Sequence, residues 1–82
     1  MSQRAVKHVR RQLGARIRSE RRELGLSQQA LGKRSGLSGK FLGEVERGEK
    51  SISVDSLYRV ALALRKPMAK ILDERSRVRR SA

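Results

Sequence analysis

The side chains with chemistry to offer are overwhelmingly cationic. Twenty-one Lys and Arg face eight Asp and Glu across 82 residues, a formal charge of +13. Such an excess repels itself in a free chain and seeks a polyanion, so nucleic acid is the first partner to consider. The charge is unevenly spread: residues 1 to 22 hold eight basic groups and one acid, and Arg75, Arg77, Arg79 and Arg80 crowd the other end. Both ends read as basic arms around a more balanced middle. Phe41 and Tyr58 are the only aromatics, too few for the stacking platforms that hold single strands or RNA loops. Duplex nucleic acid is favoured by subtraction.

Other chemistries find little support. The single histidine, His8, sits in the basic arm without a nearby carboxylate, cysteine or second histidine to make a proton relay or metal site. The absence of cysteine removes disulfides, thiolate zinc sites and cysteine nucleophiles, and fits a reducing cytoplasm. The run GEKS at 48 to 51 shares only its last letters with a phosphate-binding loop, and no strand precedes it. The chain is therefore read as a non-enzyme that needs no metal or cofactor. Eighty-two residues suffice for one small domain rather than a large cleft. Met1 to Arg11 is basic but leads into no continuous apolar stretch, and nothing later approaches the roughly 20 apolar residues of a membrane span. A soluble, cytoplasmic protein without a membrane partner is the expectation.

The elements that must carry these cations are all helical. From Val6 the residues Val9, Leu13, Ile17 and Leu24 recur at helical spacing, which predicts a first helix to about Leu24 with one apolar stripe. Gly14 interrupts that stretch at a cost of roughly 1 kcal/mol relative to Ala, so the turns before it are open to reading as a separate or fraying piece. Gly25 suits a left-handed helix end and Ser27 a cap for a short second helix, Gln28 to Arg34. Gly36, Leu37 and Ser38 repeat that punctuation before a third helix, Gly39 to Glu46, ended by Gly48. Ser53 caps a fourth helix with Val54, Leu57, Val60, Ala61 and Leu64 inward, and Pro67 opens a fifth with Met68, Ile71 and Leu72 as its apolar side. No run alternates as a strand does. The expected organisation is a basic arm or helix extension over 1 to 12, an all-α five-helix domain over 13 to 73, and a basic, disordered tail over 74 to 82.

Residues 27 to 45 form the informative unit. Two helices of about eight residues, joined by a Gly-Leu-Ser turn, bring Leu31, Ser35, Leu37, Leu42 and Val45 to one inner face, which describes a helix-turn-helix. The stretches LGARIRSERRELGLSQQAL, GLSGKFLGEVERGE and ISVDSLYRVALAL follow in order. Together they resemble the lambda-repressor-like, or Cro/C1-type (XRE family), helix-turn-helix domain over about residues 13 to 72. The resemblance departs at Gly32, where relatives commonly carry Ala, and at Ile52, near a common Pro. Gly32 is expected to weaken the second helix slightly.

That resemblance implies a set of contacts. Gln28, opening the second helix, matches a residue that touches the DNA backbone and the start of the third helix; a solvated Gln is the plainer alternative. Base-reading positions match Ser38, Gly39, Lys40 and Glu44. Lys donates to guanine O6 and N7 and Glu accepts from cytosine N4, each good pair discriminating by roughly 1 to 3 kcal/mol; Lys40 is equally open to a phosphate contact. Gly39 has no side chain to read with, leaving close backbone approach as its contribution. Phe41 is placed either against a thymine methyl or, the favoured reading, in half-buried packing. Arg47, Lys50 and Ser51 match loop positions that touch phosphates, with Arg47 otherwise a solvated charge. Arg21 and Glu46 match a structural salt bridge between the first and third helices. The remaining arginines, Arg4, Arg10, Arg11 and Arg16 among them, track a backbone or minor groove or simply face solvent. The implied function is a transcriptional regulator, with repression the default, acting on operator DNA as a homodimer through the fifth helix and the loop before it. Two rivals stay open: an antitoxin or antiactivator of the same fold working through a protein partner, and an RNA-binding protein, since phosphate attraction alone does not distinguish the two nucleic acids.

Overall fold

The computed structural model describes residues 2–73; the tail assigned to 74–82 lies outside the described residues. Five helices follow one another: α1 (Gln3–Glu23), α2 (Gln28–Ser35), α3 (Gly39–Glu46), α4 (Val54–Leu64) and α5 (Met68–Leu72), with no strand among the described residues. Serine starts each of the first four. The hydroxyls of Ser2, Ser27, Ser38 and Ser53 accept hydrogen bonds from the amides of Ala5, Ala30, Phe41 and Ser56 at 2.9 to 3.1 Å, satisfying donors that the helix itself leaves open. α2 ends on Gly36 at φ 74°, a left-handed conformation that costs glycine nothing. α4 ends in the same conformation on Arg65, φ 60°, so no glycine marks that stop in the sequence.

α2, α3 and α4 enclose the core with the C-terminal half of α1. Ile17, Leu31, Leu42, Val45, Leu57, Val60, Ala61, Leu64 and Ile71 are buried, and Leu13, Leu26, Leu37, Phe41, Ile52, Ala63 and Met68 pack against them. Each fully buried side chain of this size contributes roughly 1.5 to 3 kcal/mol against exposure. Four apolar positions of the expected stripes instead face solvent: Val9, Leu24, Val54 and Leu72 are 43 to 68% exposed. Val9 lies on a stretch of α1 that outruns the core, Leu24 and Leu72 lie at helix ends, and Val54 is the first residue of α4.

Packing gives two helical glycines a reason that their helix propensity does not. α1 runs unbroken through Gly14, because that residue is where α1 meets the end of α3: a Cβ there would fall on the carbonyl oxygen of Val45 and lie 2.6 Å from that of Glu46. Gly32, rather than merely weakening α2, lies against the turn, where a Cβ would stand 2.5 Å from the Leu37 carbonyl oxygen. Pro67 occupies the position before α5 instead of its first residue; its fixed φ suits that place equally well.

Candidate nucleic-acid interface

α3 has an inner and an outer face. Leu42 and Val45 are buried, and Phe41 is half-buried against the core. One turn apart on the other side, Lys40, Glu44 and Arg47 share an outward line, since residues spaced by four and three lie on one helical face. Lys40 and Arg47 are exposed and Glu44 half-buried. Ser38 is exposed, with its hydroxyl engaged as the cap of α3. Gly39 is tight against α2: a Cβ would approach Gln29 Cγ at 3.0 Å and its Cα at 3.1 Å. Close approach at Gly39 is thus helix to helix, and Gln29, which the sequence did not single out, is the α2 residue beside the start of α3.

The outer face is held from behind by a polar lock. The Arg21 guanidinium donates through Nε to Glu46 Oε2 at 2.7 Å and through Nη2 to Oε1 at 2.9 Å, a two-pronged ion pair, and through Nη1 to the Leu26 carbonyl at 2.8 Å. Gln28 Nε2 donates to the same Glu46 Oε1 at 3.1 Å, and its amide rests over Gly43. Gln28 therefore grips the middle and end of α3 rather than its start. Arg21 and Glu46 are 8% and 7% exposed. The Glu46 carboxylate raises the Arg21 guanidinium above its ordinary range, first by the hydrogen bonds and then by charge, against the opposing effect of burial. A second buried group lies on α1, where Glu20 takes Arg16 and Lys66 at 3.6 Å each.

At the far end of α3, Arg47 turns back on its own loop. Nε and Nη2 donate to the two oxygens of Glu49 at 2.9 and 3.3 Å, in full solvent. The pair raises the Arg47 guanidinium and lowers the Glu49 carboxyl below its usual 4.5, with hydrogen bonding the leading cause in both. Exposed pairs of this kind are weak, so a phosphate can compete for Arg47. Lys50 and Ser51 are exposed in the same loop. Sequence reasoning did not foresee Glu49 as the partner, although its spacing of two from Arg47 permits the contact. Among the described residues no group of three His, Asp or Glu side chains is placed to hold a metal ion, and no helix is long and apolar enough to cross a membrane.

The family model for helix-turn-helix domains (HTH_3) matches residues 17–71, which spans α2, α3 and the turn between them. The chain belongs to this helix-turn-helix family. It is similar to an uncharacterized transcriptional regulator in the ATPase CF(0) region of Rhodospirillum rubrum, 38% identical over 79% of this chain and 60% of the relative's length. It is 39% identical to the HTH-type transcriptional regulator y4dJ of Sinorhizobium fredii, over 68% of this chain and 73% of that one. Among solved structures it resembles the clp gene regulator ClgR of Corynebacterium glutamicum, with a TM-score of 0.76 and 38% identity over 78% of this chain and 68% of that one. The restriction-modification controller protein C.AhdI of Aeromonas hydrophila matches with a TM-score of 0.74 and 34% identity, over 76% of this chain and 94% of that one. The five-helix, lambda-repressor-like fold is thus shown, and its first helix begins well before the matched region.

Proposed function

We propose that this chain is a sequence-specific double-stranded DNA-binding transcriptional regulator that inserts α3 into the major groove. The observation that carries the reading is the outward line of Lys40, Glu44 and Arg47 on a helix fastened by the Arg21–Glu46–Gln28 lock. A major groove roughly 12 Å wide admits one α-helix, and base discrimination requires that helix to be held at one angle. Lys40 and Glu44 read bases. Gly39 lets the start of α3 pack closely on Gln29 of α2 and so present Ser38 to the DNA, and Arg47, Lys50 and Ser51 meet phosphates, as does the outer edge of Gln28. Phe41 contributes by packing.

One reading helix specifies few base pairs, so two copies act together on a near-palindromic site, with successive grooves about 34 Å apart. Apolar surface supports the pairing: α4 leaves Val54, Tyr58 and Leu62 exposed at intervals of four, and α5 leaves Leu72 exposed. Occupancy of such a site represses by excluding polymerase. The test is selection from a random duplex pool at about 150 mM salt with structured RNA as competitor. An enriched inverted repeat is expected. Recovery of no consensus, or transfer to the RNA, overturns the reading, and a single unrepeated half-site overturns the dimer.

A further inference from the structure

α1 carries a cationic ridge outside the helix-turn-helix unit. At 100° per residue, Arg4, Lys7, Arg11, Arg18 and Arg22 fall within an arc of about 60°, and all five are exposed. None of them has an ion-pair partner among the described residues, and the two acids of α1, Glu20 and Glu23, lie outside that arc. Like charges three and four residues apart disfavour a helix, yet this one runs unbroken from its Ser2 cap through the ridge. The family match begins only at residue 17, so roughly the first four turns of α1 lie outside it.

The ridge adjoins the end of α3. A Cβ on Gly48 would stand 2.7 Å from Arg11 Cγ and 3.2 Å from its Cα, so the stem of Arg11 lies on the residue that follows Arg47. Gly14, one turn on, abuts the carbonyls of Val45 and Glu46. Arg11 therefore extends the surface of the loop that bears Arg47 and Lys50, and Lys7 and Arg4 carry it about 10 Å further at 1.5 Å per residue. In that loop Glu49 occupies Arg47, whereas the ridge cations are unengaged among the described residues.

We propose that the N-terminal half of α1 is a rigid second DNA-binding element, in which Arg4, Lys7 and Arg11 clamp phosphates of the same duplex beyond the segment read by α3. The proposal rests on the DNA-binding reading above. The ridge lengthens the footprint and supplies affinity without base preference, because phosphate contacts position the protein but carry no sequence information.

The experiment compares the full chain with R4Q/K7Q/R11Q and with R59Q/R65Q/K70Q, which removes equal charge from α4, its C-terminal cap and α5. The probe is a duplex of about 40 base pairs carrying the selected site, titrated from 0.1 to 1 M salt, with helicity and melting checked for each variant. The ridge variant is expected to lower the slope of log K against log salt by about 2 to 3. Carried from 1 M salt, that predicts roughly hundred-fold weaker binding at 150 mM. Its selected consensus stays the same, and hydroxyl-radical protection is lost only at the flanks. A slope unchanged, or lowered no more than in the α4/α5 variant, overturns the clamp while leaving operator reading intact. Failure of the wild-type chain to bind any duplex overturns both.

Discussion

The two charged surfaces of this small domain are built on opposite plans. Behind α3, the polar groups are satisfied internally: Arg21 is spent on Glu46 and Leu26, and Gln28 on Glu46. Along the first turns of α1 the exposed cations have no such partners among the described residues. The difference separates two demands of nucleic-acid binding. Reading a base edge requires a helix whose angle is fixed before contact, and internal pairing fixes it. Holding a phosphate requires only an available cation, which internal pairing would withdraw.

The sharpest way to break that contrast is at the lock. Arg21→Ala or Glu46→Ala leaves a buried charge without its partner, at about 3 to 5 kcal/mol. For a domain this size each kcal/mol moves the melting temperature by roughly 4 to 8 °C, so thermal denaturation should show a fall of at least about 12 °C. A loss under about 1 kcal/mol would mean the pair does not hold α3. Neutralising Arg4 or Lys7, by contrast, should leave melting unchanged within about 0.5 kcal/mol.

Gly14→Ala comes next. Helix propensity alone predicts a gain of up to about 1 kcal/mol, whereas the collision with the Val45 and Glu46 carbonyls predicts a loss of roughly 1 to 3 kcal/mol. The sign of the change in urea midpoint decides whether α1 and α3 meet as closely as described.

Within the α3 surface, Lys40→Ala should relax preference at one base position by about 1 to 3 kcal/mol, read by competition between single-base operator variants. Arg47→Ala should weaken all duplexes alike and lower the salt slope by about one. Equal effects of the two on random-sequence DNA would remove the division of labour between them.

The smallest effect is expected at Glu49. Glu49→Gln releases Arg47 and removes one negative charge, so duplex binding tightens slightly and the salt slope rises by up to about one. The same pair has a pH signature. The Glu49 carboxyl is held below its ordinary 4.5, so the pairing is in place above that value and is lost as pH falls through the lowered one. A carboxyl titration followed by NMR should place Glu49 below the ordinary glutamate value, and should return it toward that value in Arg47→Ala.

Much of this architecture is written in short-range signals. Ser27, Ser38 and Ser53 cap helices, and Gly25, Gly36 and Gly48 adopt positive φ, at the places where residue type alone suggested breaks. These succeed because a cap or a left-handed turn involves only neighbours within three or four residues. Val9, Leu24, Val54 and Leu72 misled for the complementary reason: periodicity identifies an apolar stripe, but whether another helix arrives to cover it depends on segments far away. The α4 stripe of Val54, Tyr58 and Leu62 is accordingly visible as exposed surface only once the helices are packed.

The chain order of apolar spacings, serine caps and glycine stops was enough to specify five helices and a helix-turn-helix between 27 and 45, since each depends on local hydrogen bonding and helical period. Three-dimensional packing set the rest. It required glycine at 14 and 32, where another segment's backbone leaves no room for a Cβ, and it brought Arg21 to Glu46 across 25 residues of sequence. It also seated Arg11 on Gly48, so that the cations of α1 continue the surface of α3. Such contacts depend on where two distant backbones meet, and no local spacing encodes that.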